Sequence, residues 1–188
     1  MFYRLRRMLR LYVPKLNREL IYIYSKDNID IIKPKLDVQL KKLKTHQLHK
    51  LNNVKKLNAE RLKNRLIRGD DCYVCIYDNK VISYHWVQYN GKHLLQQSGQ
   101  VYDLKNEACI YHVRVKSEYQ KRRISSFVYS RIIDDNLRKG IIKIWIYTNY
   151  NNIANQRSLE KIGFFKDELI YSFRFDRKFY RLYAKKIK

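Results

Sequence analysis

The chain has 188 residues, of which 41 are Lys or Arg and 17 are Asp or Glu, so its formal net charge is +24. A single domain of this length buries roughly two thirds of its unfolded surface and needs no metal or disulfide crosslink to fold. No apolar run reaches the roughly 18 residues that a membrane-spanning helix needs, and charges interrupt the amino terminus. A secreted or membrane-spanning protein is therefore not expected.

The basic excess is greatest in the first part of the chain. Residues 1–68 contain 19 basic and 5 acidic side chains. Such an excess attracts anionic partners, namely nucleic acid, an anionic membrane surface or a phosphorylated substrate, without choosing among them. The alternative is that the charge only solvates the surface of a chain rich in Lys, Asn, Ile and Tyr.

The amino terminus is predicted to be a basic amphipathic helix. Residues 1–13 place Phe2, Leu5, Leu9 and Tyr12 at helical spacing, with four arginines, Arg4, Arg6, Arg7 and Arg10, elsewhere. A helix of this kind packs against the body of a protein or lies on a membrane surface. The sequence favours a basic extension over residues 1–35 and a main domain over residues 36–188.

The three cysteines are expected to be free thiols, because an odd number of them is typical of a protein in a reducing cytoplasm. Cys72 and Cys75 lie in a strand-like run, where a spacing of three places them on opposite faces of a sheet. This separation disfavours a shared metal or redox site, so no metal centre is predicted.

Hydrophobic periodicity and turn residues predict the remaining elements in chain order. They are strands over residues 20–24 and 36–43, helices over 46–54 and 57–67, a hairpin of strands 70–79 and 80–90, a connector over 102–106, strands over 108–115 and 140–147 with a helix between them, and a final hairpin over 169–175 and 179–186.

Two segments in this order carry the chemical information. Residues 119–126, Tyr-Gln-Lys-Arg-Arg-Ile-Ser-Ser, follow an apolar strand and open a helix, which is an arrangement that binds phosphate. Residues 152–164 combine an Asn-rich turn with a helix ending in Glu-Lys-Ile-Gly-Phe, where Gly163 is expected to form a left-handed helix cap.

These segments resemble the GNAT superfamily of acyl-CoA-dependent N-acyltransferases over roughly residues 36–188, and most closely over 107–165. The family's pyrophosphate signature is Arg or Gln, two residues, Gly, one residue, then Gly or Ala. Gln120 matches it, whereas Arg123 and Ser125 replace the two small residues. The resemblance implies an α/β fold of the α+β type, with a mixed, mostly antiparallel central sheet flanked by helices.

The resemblance also implies an acetyl-CoA site and no metal. The backbone around Val113 and Val115 would bind the pantetheine arm, and Asn152 and Ser158 would contact the cosubstrate or shape the cleft. The pyrophosphate would lie on the amides of a loop whose basic side chains add positive charge; its residues are Gln120, Lys121, Arg122, Arg123, Ile124, Ser125 and Ser126.

Acyl transfer to an amine needs a proton acceptor, a group that polarises the carbonyl and a proton donor for the leaving thiol. The candidate bases are Glu107, His112 and His85, and a regular strand would point the first two to opposite faces. Many relatives place the donor Tyr where this chain has Leu159, so Tyr150 is the substitute candidate. Each of the three candidate bases also has an ordinary structural interpretation, as an exposed charge or a hydrogen-bonded sheet residue.

The sequence thus favours a cytoplasmic N-acetyltransferase that moves an acetyl group from acetyl-CoA to an amine by direct attack in a ternary complex. A phosphorylated or nucleotide-linked amino sugar, or another small anionic amine, would suit the positive charge as acceptor. The alternative is a catalytically inactive binding protein on the same scaffold, which uses the basic amino-terminal region to bind nucleic acid or an anionic membrane surface.

Overall fold

The computed structural model describes residues 15–95, 97–175 and 178–187. The described residues form ten strands, three α-helices and two 3₁₀ helices. The strands are β1 (Lys15–Tyr24), β2 (Gln39–Lys42), β3 (Asp71–Tyr77), β4 (Lys80–Gln88), β5 (Gly91–Leu94), β6 (Val101–Leu104), β7 (Ala108–Val115), β8 (Ile144–Asn149), β9 (Phe165–Phe175) and β10 (Lys178–Lys186). The α-helices are α1 (Ala59–Ile67), α2 (Ile124–Leu137) and α3 (Ile153–Ile162), and the 3₁₀ helices are Thr45–Asn53 and Ser117–Tyr119.

Eight strands form one sheet in the order β10-β9-β1-β8-β7-β4-β3-β2, and β5 pairs with β6 in a separate hairpin. Every neighbouring pair in the large sheet is antiparallel except β7 and β8. The α/β fold predicted from the sequence, a mostly antiparallel sheet flanked by helices, is therefore confirmed.

Each face of the sheet carries its own hydrophobic core. On one face the sheet packs against α2 and α3, through residues such as Phe127 and Leu159. On the other face it packs against the first 3₁₀ helix, α1 and the β5–β6 hairpin, through residues such as Leu51 and Leu62. Cys72 and Cys75 belong to different cores, which confirms their predicted separation on opposite faces.

The amino-terminal strand β1 lies inside the sheet, where it pairs with β8 on one side and with β9 on the other. Part of the extension predicted over residues 1–35 is thus integral to the main sheet. The helix predicted over residues 1–13 lies outside the described residues.

The prediction of a connector over residues 102–106 is wrong, because Val101–Leu104 forms β6 and pairs with Gly91–Leu94. This hairpin covers one face of the sheet, so its strand conformation is fixed by a partner that the local sequence does not reveal. The segment predicted as a helix over 46–54 is a 3₁₀ helix. In the part of the chain that the structure describes, no helix has the length and apolar character to span a membrane.

Candidate functional site

A cleft opens where the only parallel strand pair of the described sheet comes apart. β7 and β8 pair at three positions, which end at Ile110 and Ile146. Both strands continue beyond this point, to Val115 and Asn149. Backbone groups of β7 that face β8 after Ile110 therefore have no partner in β8, and the gap lies open to an extended ligand.

A β-bulge in β7 lies at the same place. Tyr84 pairs with Arg114 and Trp86 with Tyr111, so His85 stands opposite two residues, His112 and Val113. His112 has φ of 46°, in the left-handed region. A bulge bends its strand and re-aims the backbone groups beside it, and here it turns β7 away from β8.

The loop after β7 presents backbone amides to the cleft. Residues 120–123 lead into α2, whose first-turn amides have no partner within the helix. Arg123 has φ 60° and ψ 19°, and Lys121 also has φ of 60°. Arg123, which stands where the resemblance expects Gly, thus has a left-handed backbone conformation, at a cost of about 1 kcal/mol.

A second segment anchors this loop from outside. The Lys35 amide donates to the Arg122 carbonyl at 2.9 Å, and the Ile32 amide donates to Ser130 Oγ on α2 at 3.1 Å. These contacts link residues 32–35 to the loop and to its helix. The segment also brings Lys33 to the cleft.

The cleft has a volume of about 1080 Å³ and a strongly positive wall. Among the described residues its lining contains no Asp or Glu. Its cationic side chains are Lys33, Arg114, Lys121, Arg123, Arg157 and Lys161. Unpaired strand groups, helix amides and a cationic wall together fit an extended ligand that carries phosphates.

The cleft brings together nearly all residues that the sequence assigns to the cosubstrate. The residues in its lining are Val113, Val115, Gln120, Lys121, Arg123, Ile124, Ser125, Ser126, Asn152 and Ser158. The exception is Arg122, which does not line the cleft and contributes its carbonyl to the contact with Lys35. Asn152 caps α3 by accepting a hydrogen bond from the Asn155 amide at 3.3 Å.

Of the four candidate catalytic residues, only His112 lines the cleft. Its Nδ1 lies 2.6 Å from Arg65 Nη1 and its Nε2 lies 3.4 Å from the Tyr84 hydroxyl. Because the guanidinium can only donate, Nδ1 is the acceptor and the ring proton is on Nε2. Burial, followed by the charge of Arg65, lowers the pKa of His112 to about 4. The ring is thus neutral near pH 7, and the lone pair of its Nδ1 accepts the hydrogen bond from Arg65.

The other three candidates lie away from the cleft. Glu107 is at the opposite end of β7, in an ion pair with Lys143 at 2.6 Å. Tyr150 lies under the Arg18 guanidinium, 4.2 Å from the ring centroid. His85 is fully buried against Tyr129 of α2, neither ring nitrogen has a hydrogen-bond partner, and burial lowers its pKa to about 3.

Tyr129 is a cleft residue that was not predicted from the sequence. It lines the cleft from α2, and its hydroxyl donates to Asn155 Oδ1 on α3 at 3.2 Å. Position in an amphipathic helix predicts only that Tyr129 is buried. The meeting of α2 and α3 at the cleft wall, which places its hydroxyl beside Asn155, depends on tertiary packing.

The family model for the acetyltransferase (GNAT) family matches residues 40–164. The chain belongs to this family. The match covers both segments that the sequence associates with the cosubstrate, and it extends over β2 to α3. No curated protein matches the chain at a significant level.

Solved structures with the same fold share little sequence with this GNAT protein. A GNAT-family putative acetyltransferase from Novosphingobium aromaticivorans superimposes with a TM-score of 0.63 at 12% identity, covering 93% of this chain and 66% of that one. A GCN5-related N-acetyltransferase from Sphaerobacter thermophilus gives 0.65 at 10% identity, covering 99% and 56%. The chain is thus shorter than either protein.

A third similar structure contains a ligand. The PaiA N-acetyltransferase from Thermoplasma acidophilum, solved in complex with coenzyme A, superimposes with a TM-score of 0.54 at 15% identity. The superposition covers 67% of this chain and 88% of that one. At these identities the likeness establishes the fold that the two proteins share.

Replacing Arg123 with Gly should stabilise the protein by about 1 kcal/mol, because Gly adopts the left-handed conformation without a steric cost. Urea denaturation measures the change. Arg122→Gly is the matched control, because Arg122 does not have a positive φ and Gly there only adds freedom to the unfolded chain. Equal effects of both substitutions would contradict strain at Arg123.

His85 should make stability depend on pH. Its pKa of about 3 in the folded protein lies below the ordinary value near 6.5, so the unfolded chain binds the proton first as pH falls. The contribution of neutral His85 to the free energy of unfolding is therefore fully present above pH 6.5, and about 2 kcal/mol of it should be lost between pH 7 and pH 5. Urea denaturation at both pH values measures the free energy of unfolding. Between pH 7 and pH 5, His85→Leu should lose about 2 kcal/mol less of it than the wild type. Equal losses in the two proteins would contradict a lowered pKa at His85.

Proposed function

We propose that this GNAT protein transfers an acetyl group from acetyl-CoA to an amine. The observation that carries the proposal is the separation of β7 from β8 directly beside the loop of residues 120–123 and the amino terminus of α2. Strand groups without a partner in β8 and the free amides at the start of α2 thus lie along one cleft, which supports the proposal. Family membership supports the same chemistry at the level of the reaction class.

The residues present fit acetyl-CoA along the length of the cleft. Val113 and Val115 would offer backbone groups to the amide-containing pantetheine arm, in the manner of an added strand. The amides that begin α2 would bind the pyrophosphate, and Lys121 and Arg123 would neutralise its charge. Arg157 and Lys161 of α3 also line the cleft and would favour further phosphate there.

Acetyl-CoA, when bound, supplies an acetyl group activated as a thioester. The bulge at His112 and Val113 leaves β7 amides re-aimed beside the cleft, where they would stabilise negative charge that develops on the carbonyl oxygen. Such an amide acts without reorganisation because the strand holds it in place.

Tyr129 is the proposed proton donor to the departing thiol. Burial raises the pKa of its hydroxyl, so it keeps its proton at neutral pH. It lies at the cleft wall beside Asn155, which can hold it in position. This role replaces the one for which the sequence offered Tyr150, because Tyr150 lies outside the cleft.

The acceptor amine would lose its proton to solvent. The cleft lining, as far as the structure describes it, contains no carboxylate, and the lone pair of His112 is taken by Arg65. A cationic wall also favours the neutral form of an amine, because like charges repel. We therefore expect the rate to follow the pKa of the acceptor amine rather than that of His112. A small amine that carries an anionic group elsewhere suits such a wall.

Acetyl-CoA should raise the melting temperature of the purified protein, because a ligand at 100 times its dissociation constant stabilises by about 2.7 kcal/mol. Lys121→Ala should weaken its binding by about tenfold, since it removes a charge-assisted contact with phosphate. Isothermal titration calorimetry measures both dissociation constants.

Arg122→Ala is the matched control for Lys121→Ala. It removes the same charge from the same loop, but its side chain does not line the cleft, so we expect less than about a threefold effect. ATP controls for unspecific anion binding. An absence of any melting shift with acetyl-CoA would reject the proposed function and favour the binding-protein alternative.

Tyr129→Phe should lower kcat by about 10²-fold, because it removes a general acid. The assay measures the free thiol that acetyl transfer releases. The affinity for acetyl-CoA should stay within about threefold of wild type, since the ring and its packing remain. A kcat equal to that of wild type would show that water protonates the thiol instead.

A further inference from the structure

Arg65 is held at the side of the cleft by aromatic rings. It lies on α1, and its guanidinium carbon is 5.0 Å from the ring centroid of Trp86 and 5.0 Å from that of Tyr111. Its Nη1 also contacts Nδ1 of His112 at 2.6 Å. Tyr111 and His112 both line the cleft, so the guanidinium lies directly behind its wall.

This guanidinium has no acidic partner in the part of the chain that the structure describes, although it is half-buried. Arg68, the residue that caps the carboxyl end of the same helix, differs in this respect, because it forms an ion pair with Asp70 at 2.5 Å. A half-buried charge without a counter-ion costs free energy that an anionic ligand would recover. The rings and the neutral His112 orient Arg65 but leave its charge uncompensated.

Other cations surround the same place. After burial, the charges of Arg65, Lys55 and Arg114 lower the pKa of His112 further. Arg114 also lines the cleft. Within residues 15–95, 97–175 and 178–187, none of these three cations forms an ion pair.

These three cations lie apart from the loop of residues 120–123. Arg65 packs with the core on the α1 face of the sheet, whereas α2 begins on the opposite face. The two positive regions therefore approach the gap between β7 and β8 from different sides. The cleft lining reaches the α1 side through Tyr111 and Tyr147, so an acceptor would approach a thioester in the gap from that side while the phosphates lie on the α2 side.

We propose that Arg65, assisted by Arg114 and Lys55, binds an anionic group, a carboxylate or a phosphate, on the acceptor amine. This deepens the proposed acetyltransferase function and rests on it. The ligand class is a small amine whose anionic group lies away from the reacting nitrogen. Arg65 thus selects the acceptor by charge, and the planar guanidinium matches the two oxygens of either anion.

Trp86 provides a direct test, because an anion that binds Arg65 changes the charge beside the indole ring. The chain has two tryptophans, so Trp145→Phe leaves Trp86 as the single reporter. CoA is added in excess to fill the phosphate-binding loop, and inorganic phosphate or acetate is then titrated while fluorescence is recorded. We expect a saturable change at millimolar anion, and comparing the two anions shows which source of charge is preferred.

In that background Arg65→Gln should weaken anion binding at least about tenfold, and Arg65→Lys should retain more of it. Arg61→Gln is the matched control, because it removes the same charge from the exposed face of α1. Thermal unfolding verifies that each variant is folded. The absence of a saturable change, or equal losses in Arg65→Gln and Arg61→Gln, would overturn the proposal.

Acetyl transfer to matched amines gives a second readout. Phosphoethanolamine and β-alanine are compared with ethanolamine and propylamine, and Arg65→Gln should raise KM for the anionic amines about tenfold with little change for the neutral ones. Acetylation of both classes without preference would reject the anion site and leave the acetyltransferase intact. Failure to bind CoA would reject the acetyltransferase, while the fluorescence titration without CoA would still decide the anion site.

Discussion

The separation of β7 from β8 is the constraint on which the site depends. Three residue pairs hold the strands together, and the bulge at His112 then bends β7 away. A sheet that stayed paired to Val115 would have satisfied its own backbone groups and left nothing for a ligand. The bulge is stabilised from both sides, by the Arg65 contact on one face and by the buried β4 strand beside it.

The loop of residues 120–123 shows that a residue other than Gly can hold a left-handed backbone conformation. Arg123 takes the left-handed conformation without being Gly. The loop is fixed by the contact between Lys35 and Arg122 and by the packing of Ile124 and Phe127 in the core. Although the conformation is strained, Arg123 adds a positive side chain to the cleft, where Gly would present only its backbone amide.

The distribution of acidic residues explains why the cleft is so positive. Several carboxylates, none of which lines the cleft, accept hydrogen bonds from tyrosine hydroxyls. These pairs are Tyr22 with Glu160, Tyr73 with Asp135, Tyr89 with Asp71, Tyr102 with Glu168 and Tyr111 with Asp70. The cationic side chains of the cleft are therefore not paired with these carboxylates, and they can interact with an anionic ligand on either face of the sheet.

The sequence by itself determined the family and the sheet-and-helix class, and it predicted cosubstrate residues of which nearly all line one cleft, because these features lie in continuous segments with local geometry. Gly163 and the start of α2 are examples, since a helix cap and a helix amino terminus depend on neighbouring residues. Only the tertiary structure decided which side chains reach the cleft. His85, Glu107 and Tyr150 do not line the cleft, whereas Tyr129 of α2 does, and Arg65 of α1 contacts His112 in the cleft wall. Packing of helices that are distant in sequence brought both side chains to these positions.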